Sequence, residues 1–350
     1  GYLTQTEFMQ RKNFVENETL DKIISNIGID AKYGISKNLT LDLTLNTDFA
    51  QAEVDDRIIN LSKYEVNLPE KRSFFLESAN NLSFGFPSGN TLFITRKIGR
   101  ENGIIVPIIG GARLTGKVND WQLGALNMQT TGIAEEGISP HNFTVLRTRK
   151  FIDPLGSFVG GIITNRLNTD TSGLSNQTVG FDFVKRINQQ LAVEGGISGT
   201  LVNFKADDIV KASYLHAGVF QSAVTGFLYS GTLDLLGEDI NPIMGFIDDN
   251  NYGNGMVELG YKEAFSEKSI FQYWSVFVTN NYRWKFDTHQ RETYSLEIWP
   301  GLQFKNGAEI VISAVEYKID SLQFDWILDE KNAISAGNYN TWNNSLILIS

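Results

Sequence analysis

Apolar and polar residues alternate along most of this chain. In residues 190–202, QLAVEGGISGTLV, one face carries Leu191, Val193, Gly195, Ile197, Gly199 and Leu201, and the other carries Glu194, Ser198 and Thr200. The same period of two sets Val179, Phe181 and Phe183 against Asp182, and Phe227, Tyr229, Leu233 and Leu235 against Ser230, Thr232 and Asp234. It sets Val257, Leu259 and Tyr261 against Glu258 and Lys262, and Trp274, Val276 and Val278 against Ser275 and Thr279. Tyr294, Leu296 and Ile298 likewise oppose Ser295 and Glu297. Successive side chains of a strand point to opposite faces, so this period predicts strands with one apolar and one polar side. A helical period is expected only as a short helix near ETLDKIISNI, residues 18–27.

The pattern predicts roughly 14–16 strands, near 23–34, 39–47, 92–99, 110–118, 121–131, 142–151, 157–166, 177–186, 190–202, 210–220, 225–236, 251–262, 271–286, 291–304, 308–319 and 341–350, with 92–99 and 142–151 the weakest. Segments of about 9–14 residues exceed the ~5–6 typical of globular strands and match the ~9–11 that cross a bilayer at a tilt. A propeller would need a repeat of about 40–50 residues, and none is present. Tight turns at Asn119-Asp120, 152–156, 187–190, 221–225 and Asn306-Gly307 alternate with longer polar loops at 132–142, 167–176, 203–209, 237–250 and 320–340. Alternation of short and long connections is the signature of an up-and-down outer-membrane β-barrel, whose periplasmic turns are the short ones. On this parity residues 48–91, which do not alternate, leave strand 39–47 at the periplasmic end.

Composition narrows the picture. The 350 residues carry a net charge of −10, which argues against a nucleic-acid partner held through phosphates. There is no Cys, so thiolate chemistry and disulfides are excluded, and three scattered His make a multi-histidine metal site a poor expectation. Mean hydropathy is −0.16 and no run reaches the ~20 apolar residues of a membrane helix. A barrel hides its lipid face by alternation, so neither value argues against membrane insertion. The chain begins GYLTQTEFMQRKN, without Met, as in a mature or truncated protein, and its closing LILIS reads as an unfinished strand that continues past Ser350.

Candidate chemistry gathers in 48–77. Asp48, Glu53, Asp55, Asp56, Glu70 and Glu77 are enough carboxylates for a two-carboxylate glycosidase or a calcium site. Neither spacing fits a known motif, and the EF-hand pattern is absent. VNLPEKRSFFLES, residues 66–78, places Glu70, Lys71 and Arg72 in a row before Phe74, Phe75 and Leu76. Such a run cannot face lipid, where each unpaired charge is costly. The expectation is a plug inside the barrel, in which Asp48, Glu53, Asp55, Glu70 and Glu77 pair with inward cations such as Arg96, Arg100, Arg113, Lys117, Arg147 and Arg149, and Lys71 and Arg72 likewise bond inward charges of the wall. No catalytic residue, metal site or cofactor is expected. There is no G-x-S-x-G elbow and no P-loop, and His216 falls on the polar face of a strand. Trp274, Trp284, Trp299, Tyr282 and Tyr294 read as an interfacial aromatic girdle.

The block 28–78 resembles a Bacteroidota family of unknown function. The likeness rests on Leu-Thr-Leu before Asn46-Thr47-Asp48-Phe49, then Gln51, Glu53, Asp55, Asn60-Leu61, Pro69-Glu70-Lys71-Arg72 and Phe74-Phe75-Leu76-Glu77. RKIGR (96–100), GGARLTGKV (110–118) and INPIMGFI (240–247) are similar to further blocks of that family. The pattern has proline where this chain has Thr47 and Ser73. The resemblance implies an outer-membrane β-barrel, usually C-terminal to a family-9-like carbohydrate-binding domain. Together these readings give one all-β transmembrane antiparallel barrel domain over 1–350 with 48–91 as a plug. The expected function is that of a non-enzymatic pore, transporter or scaffold subunit of an envelope complex. The alternative is a glycan-linked surface binding protein or hydrolase using carboxylates in 48–77. Expected partners are outer-membrane lipid, other outer-membrane or periplasmic proteins, and glycans.

Overall fold

The computed structural model describes residues 2–15, 22–46, 69–77, 79–85, 89–101, 103–170, 172–247, 249–322, 326–327, 333–334 and 337–349, with side chains described within 28–311 and 337–342. Sixteen strands form one antiparallel sheet in chain order. They are β1 (Tyr2–Val15), β2 (Lys22–Ser36), β3 (Leu39–Leu45), β4 (Ile108–Val118), β5 (Trp121–Thr130) and β6 (His141–Phe151). They continue as β7 (Phe158–Asn168), β8 (Ser175–Arg186), β9 (Leu191–Val202), β10 (Ser213–Gln221) and β11 (Gly226–Leu236). The last are β12 (Tyr252–Ala264), β13 (Phe271–Lys285), β14 (Arg291–Phe304), β15 (Glu309–Leu322) and β16 (Gly337–Ile349). Each strand pairs with its sequence neighbours, as in the wall of an up-and-down barrel. Two expectations change. Residues 22–27, expected to end a short helix, run as strand, because Ile23, Ile24 and Ile27 join the ladder to β1. Residues 92–99 do not cross the sheet: 95–97 form a 3-10 turn, and β1 is the strand that alternation missed.

The two faces of the sheet are inverted relative to a soluble protein. Phe181 and Ile197 are 63% and 53% exposed, whereas their neighbours Asp182 and Ser198 are 8% and 5% exposed. Leu43, Leu146, Ile163, Leu215 and Leu259 are exposed on the apolar side of other strands. Phe183 is exposed there too, while Val193 and Val276 are half-buried. The opposite face buries Arg113, Thr115, Arg147, Thr164, Thr178, His216 and Asp234. Register aligns one polar row across seven strands: Gly160, Asp182, Gly196, His216, Asp234, Asn254 and Arg283. Trp299 departs from the expected girdle. It shares the polar side with Glu297, to which its indole N–H donates at 3.1 Å.

Short connections, 37–38, 119–120, 152–157, 187–190 and 222–225, share one end of the sheet, and Asn119 adopts the left-handed backbone (φ 52°) that its two-residue turn requires. The spans 131–140, 169–174, 203–212 and 237–251 share the other end. The 46–107 connection leaves β3 and returns to β4 at this second end. The expected departure from the periplasmic end is therefore reversed: once 92–99 no longer counts as a crossing, parity moves the insertion to the end with the long loops.

Candidate functional site

The described part of this connection, residues 69–106, folds onto the polar face. It contains α1 (Ser73–Leu76), a 3-10 turn at Ala79–Asn81 and the pair Arg100–Glu101 with Ile104–Ile105. Its Phe75, Leu82, Phe84, Leu92, Phe93 and Ile98 form one buried cluster with Leu126, Val145, Ile162, Tyr214 and Leu236 of the wall. This single insert meets strands from β2, at Lys32, to β12, at Tyr252. A flat sheet would set those strands roughly 48 Å apart at ~4.8 Å per strand. The insert turns back on itself at the Gly85–Thr91 bridge, so the wall curls around it.

The charges of 69–77 divide into two groups. Glu70 and Arg72 pair with each other, Arg72 Nη2 to Glu70 Oε2 at 2.7 Å and Nε to Oε1 at 2.8 Å. Arg72 also donates to the carbonyls of Ile98 (2.7 Å) and Thr95 (2.8 Å) and lies over the Phe75 ring at 4.2 Å. The Thr95 hydroxyl donates to Glu70 at 2.8 Å. Arg96 donates to the Pro69 carbonyl at 2.7 Å. Glu70, Arg72, Thr95 and Arg96 brace the insert from within, where the expectation had Glu70 and Arg72 bond wall charges. Lys71 is half-buried in the same turn, its backbone N–H donating to Glu70 at 3.1 Å. Burial pushes the Glu70 carboxyl up, but Arg72 and Thr95 outweigh it and the net shift is downward.

Glu77 does reach the wall, through Lys32 and through Arg113 Nη2 at 3.4 Å. The Lys32 hydrogen bond lowers its carboxyl against a smaller opposing effect of burial, with Arg113 adding to the lowering. Arg113 is the hub. It binds Asp42 at 2.7 Å, the carbonyl of Glu77 at 2.6 Å and the carbonyl of Phe74, and lies 4.7 Å from the Phe74 ring centre. Farther along, Arg147 and Arg149 donate to the Ser83 carbonyl at 3.0 and 2.7 Å. Arg100 lies within the insert, and Lys117 sits 4.8 Å over the Phe151 ring instead of meeting it. Asp48, Glu53 and Asp55 lie outside the described residues. Among the described carboxylates of the block, Glu70 and Glu77 each pair with a cation, Arg72 and Lys32 respectively.

Three arrangements lay beyond the reach of pattern. Arg147 binds Asp182 bidentately (2.8 and 2.5 Å) across Gly160, where any Cβ would lie 2.7 Å from both partners. His216, on the polar face as expected, bridges Asp234 (2.8 Å) and Glu194 (3.1 Å). The 237–251 connection pairs with the insert: Thr91 and Phe246 exchange main-chain hydrogen bonds at 2.8 and 2.7 Å, and Ile94 N–H donates to Met244 at 2.8 Å. The blocks 96–100 and 110–118 thus meet 69–77, and 240–247 meets the insert at Thr91 and Ile94. Position 160 in GGIITN and the opposite charges on neighbouring strands were the available signals.

Residues 6–106 match a family described as a domain of unknown function (DUF5916). No curated protein matches the chain. Fifteen chains of solved structures do. One, the crystal structure of Pseudomonas aeruginosa OccK5 (OpdH), is 10% identical, with a TM-score of 0.38, over 100% of this chain and 90% of that one. Among the described residues no helix is long and apolar enough to cross a membrane, which leaves crossing by strands open.

Proposed function

We propose that this chain is an integral outer-membrane β-barrel, non-enzymatic, acting as a pore or transporter whose polar lumen is constricted by the insert. The inverted sheet carries the reading. An exposed apolar face extending from β3 to β12 is far larger than a soluble monomer sustains, while a charged and hydroxylated face turned inward suits a lumen. In lipid each backbone group must be met within the protein, and neighbouring antiparallel ladders do this. The end with the short turns is then periplasmic, and the insert enters from the outer mouth. A source in Bacteroidota, an attached carbohydrate-binding domain, and glycan or envelope-protein partners at the long loops extend this reading.

Alkaline carbonate should leave the protein in the membrane pellet, and clean release as a folded soluble monomer overturns the proposal. Deleting 66–78 should raise ion conductance in planar bilayers, because it removes the residues that hold the insert to Arg113.

A further inference from the structure

We infer that the insert is a displaceable plug latched by the 237–251 loop, so that opening requires the Thr91–Phe246 bridge to part; this rests on the pore reading. The insert has two unlike margins. Toward β2–β6 it is held by charged donors: Lys32 and Arg113 on Glu77, Arg113 on two carbonyls, and Arg147 and Arg149 on Ser83. Toward β12 the insert is joined by neutral bonds that include the reciprocal Thr91–Phe246 pair, Ile94 to Met244, and Asn90 to the Tyr252 hydroxyl at 2.6 Å. Charge-assisted hydrogen bonds are about twice as strong as neutral ones, so the second margin is the one that yields.

The loop on the other side of this bridge stays with the wall, through an ion pair of Asp249 with Arg283 at 2.8 Å and through neutral contacts at Asn241. Asn241 N–H donates to Thr200 Oγ1 at 3.1 Å, and Asn176 Nδ2 donates to the Asn241 carbonyl at 3.1 Å. Between the margins the insert meets a mixed wall, apolar at Leu126, Val145 and Ile162 and hydroxylated beside them. Phe84 and Leu92 come so close over Gly180 that a Cβ there would lie 2.8 and 2.9 Å from them. Around that glycine the wall presents hydroxyls. Thr178 lies two residues before it, Thr164 pairs with Thr178, and Ser198 pairs with Gly180 itself. Thr164, Thr178 and Ser198 are 1%, 0% and 5% exposed, and among the described residues their hydroxyls have no hydrogen-bond partner. Covering such a surface leaves its hydroxyls unmet, and uncovering it lets water meet them. A wall built for permanent cover would be apolar throughout, whereas here Ile162 stands beside Thr164 and Thr178. This one suits a surface that is alternately covered and wet.

The chain has no Cys, which makes a disulfide trap clean. Thr91 and Phe246 form a hydrogen-bonded antiparallel pair, for which Cα atoms stand about 5.5 Å apart, within the ~4.4–6.8 Å that a disulfide spans. The test is single-channel recording of the double variant Thr91→Cys with Phe246→Cys, beside the 66–78 deletion. The oxidised pair should lose its large openings, and reductant should restore those of the parent chain. Thr178→Val, which removes one unmet hydroxyl without changing size, should open less often than the parent. Equal openings in the oxidised and reduced pair, or unchanged openings in Thr178→Val, overturn the latch and leave the pore reading in place. A parent and pair silent in both redox states beside a conducting deletion variant mean that the plug does not move, with the same consequence. A deletion variant that is silent as well brings down the pore reading and the latch together.

Discussion

In the wall an arginine finds its carboxylate on another strand. Arg113 of β4 reaches Asp42 of β3, and Arg147 of β6 passes over β7 to Asp182 of β8. In the insert Arg72 finds Glu70 two residues away and spends its remaining donors on carbonyls of the same segment. Wall pairs therefore tie strands that are distant in sequence and fix their register. The insert pair closes a local turn and would hold its shape wherever the segment sits. What this difference teaches is that the two regions can fail separately: damage to a wall pair should unfold the sheet, and damage to the insert pair should loosen a part of it.

The largest effect is expected from Arg147→Leu, which strands Asp182 as a buried unpaired charge and should cost about 3–5 kcal/mol of wall stability in a denaturant titration. Arg72→Leu should leave that midpoint nearly in place while making 69–106 sensitive to protease. Equal loss of wall stability in both variants breaks the comparison. Next comes Ile197→Arg on the lipid side, at about 2–4 kcal/mol near the bilayer midplane, against a milder Ser198→Ala on the polar side. A tolerated Ile197→Arg beside a damaging Ser198→Ala would reverse the assignment of faces. Gly160→Ala pushes a Cβ between Arg147 and Asp182 and should cost about 1–3 kcal/mol, the worth of charged hydrogen bonds. Retained stability there would show that the pair can bend around an added carbon.

The smallest effect is a pH dependence. The Glu70 and Glu77 carboxyls sit below their ordinary value of 4.5 in the folded insert. A lowered folded value means stabilisation that is complete above the ordinary value and is lost as pH falls below it and through the lowered one. Protease sensitivity of the insert should therefore rise in acid, and constant protection down to low pH would show that these carboxylates do not hold it.

The wall was legible because its two sides meet different surroundings. Phe181 beside Asp182, and Ile197 beside Ser198, announce their faces by type alone. The 92–99 stretch, LFITRKIG, misled for the same reason. Leu92, Phe93 and Ile98 are as apolar as any strand, and type cannot distinguish a residue buried under an insert from one facing the wall's own side. Misplacing that one segment also reversed the end from which the insert departs. Within the candidate cluster Arg113 and Glu77 met as expected, since an inward wall cation needs a counter-charge. Glu70 with Arg72 did not follow the expectation, because a turn brings neighbours together more cheaply than a sheet can. The bridge between Thr91 and Phe246 is made by main chain, which leaves no mark in residue type.

Asn90 and Tyr252, joined at one margin of the insert, stand 162 residues apart in the chain. Closing so long a loop costs entropy before any contact repays it, and contacts of this kind form late. The insert follows the third strand in sequence, yet its far margin cannot dock until the twelfth strand is in place. Between those moments the maturing sheet holds a tethered but undocked segment at the end with the long loops. On the pore reading, assembly thus passes through a stage in which the wall is largely built and the passage is still unobstructed, and the last step of folding is the one that shuts it.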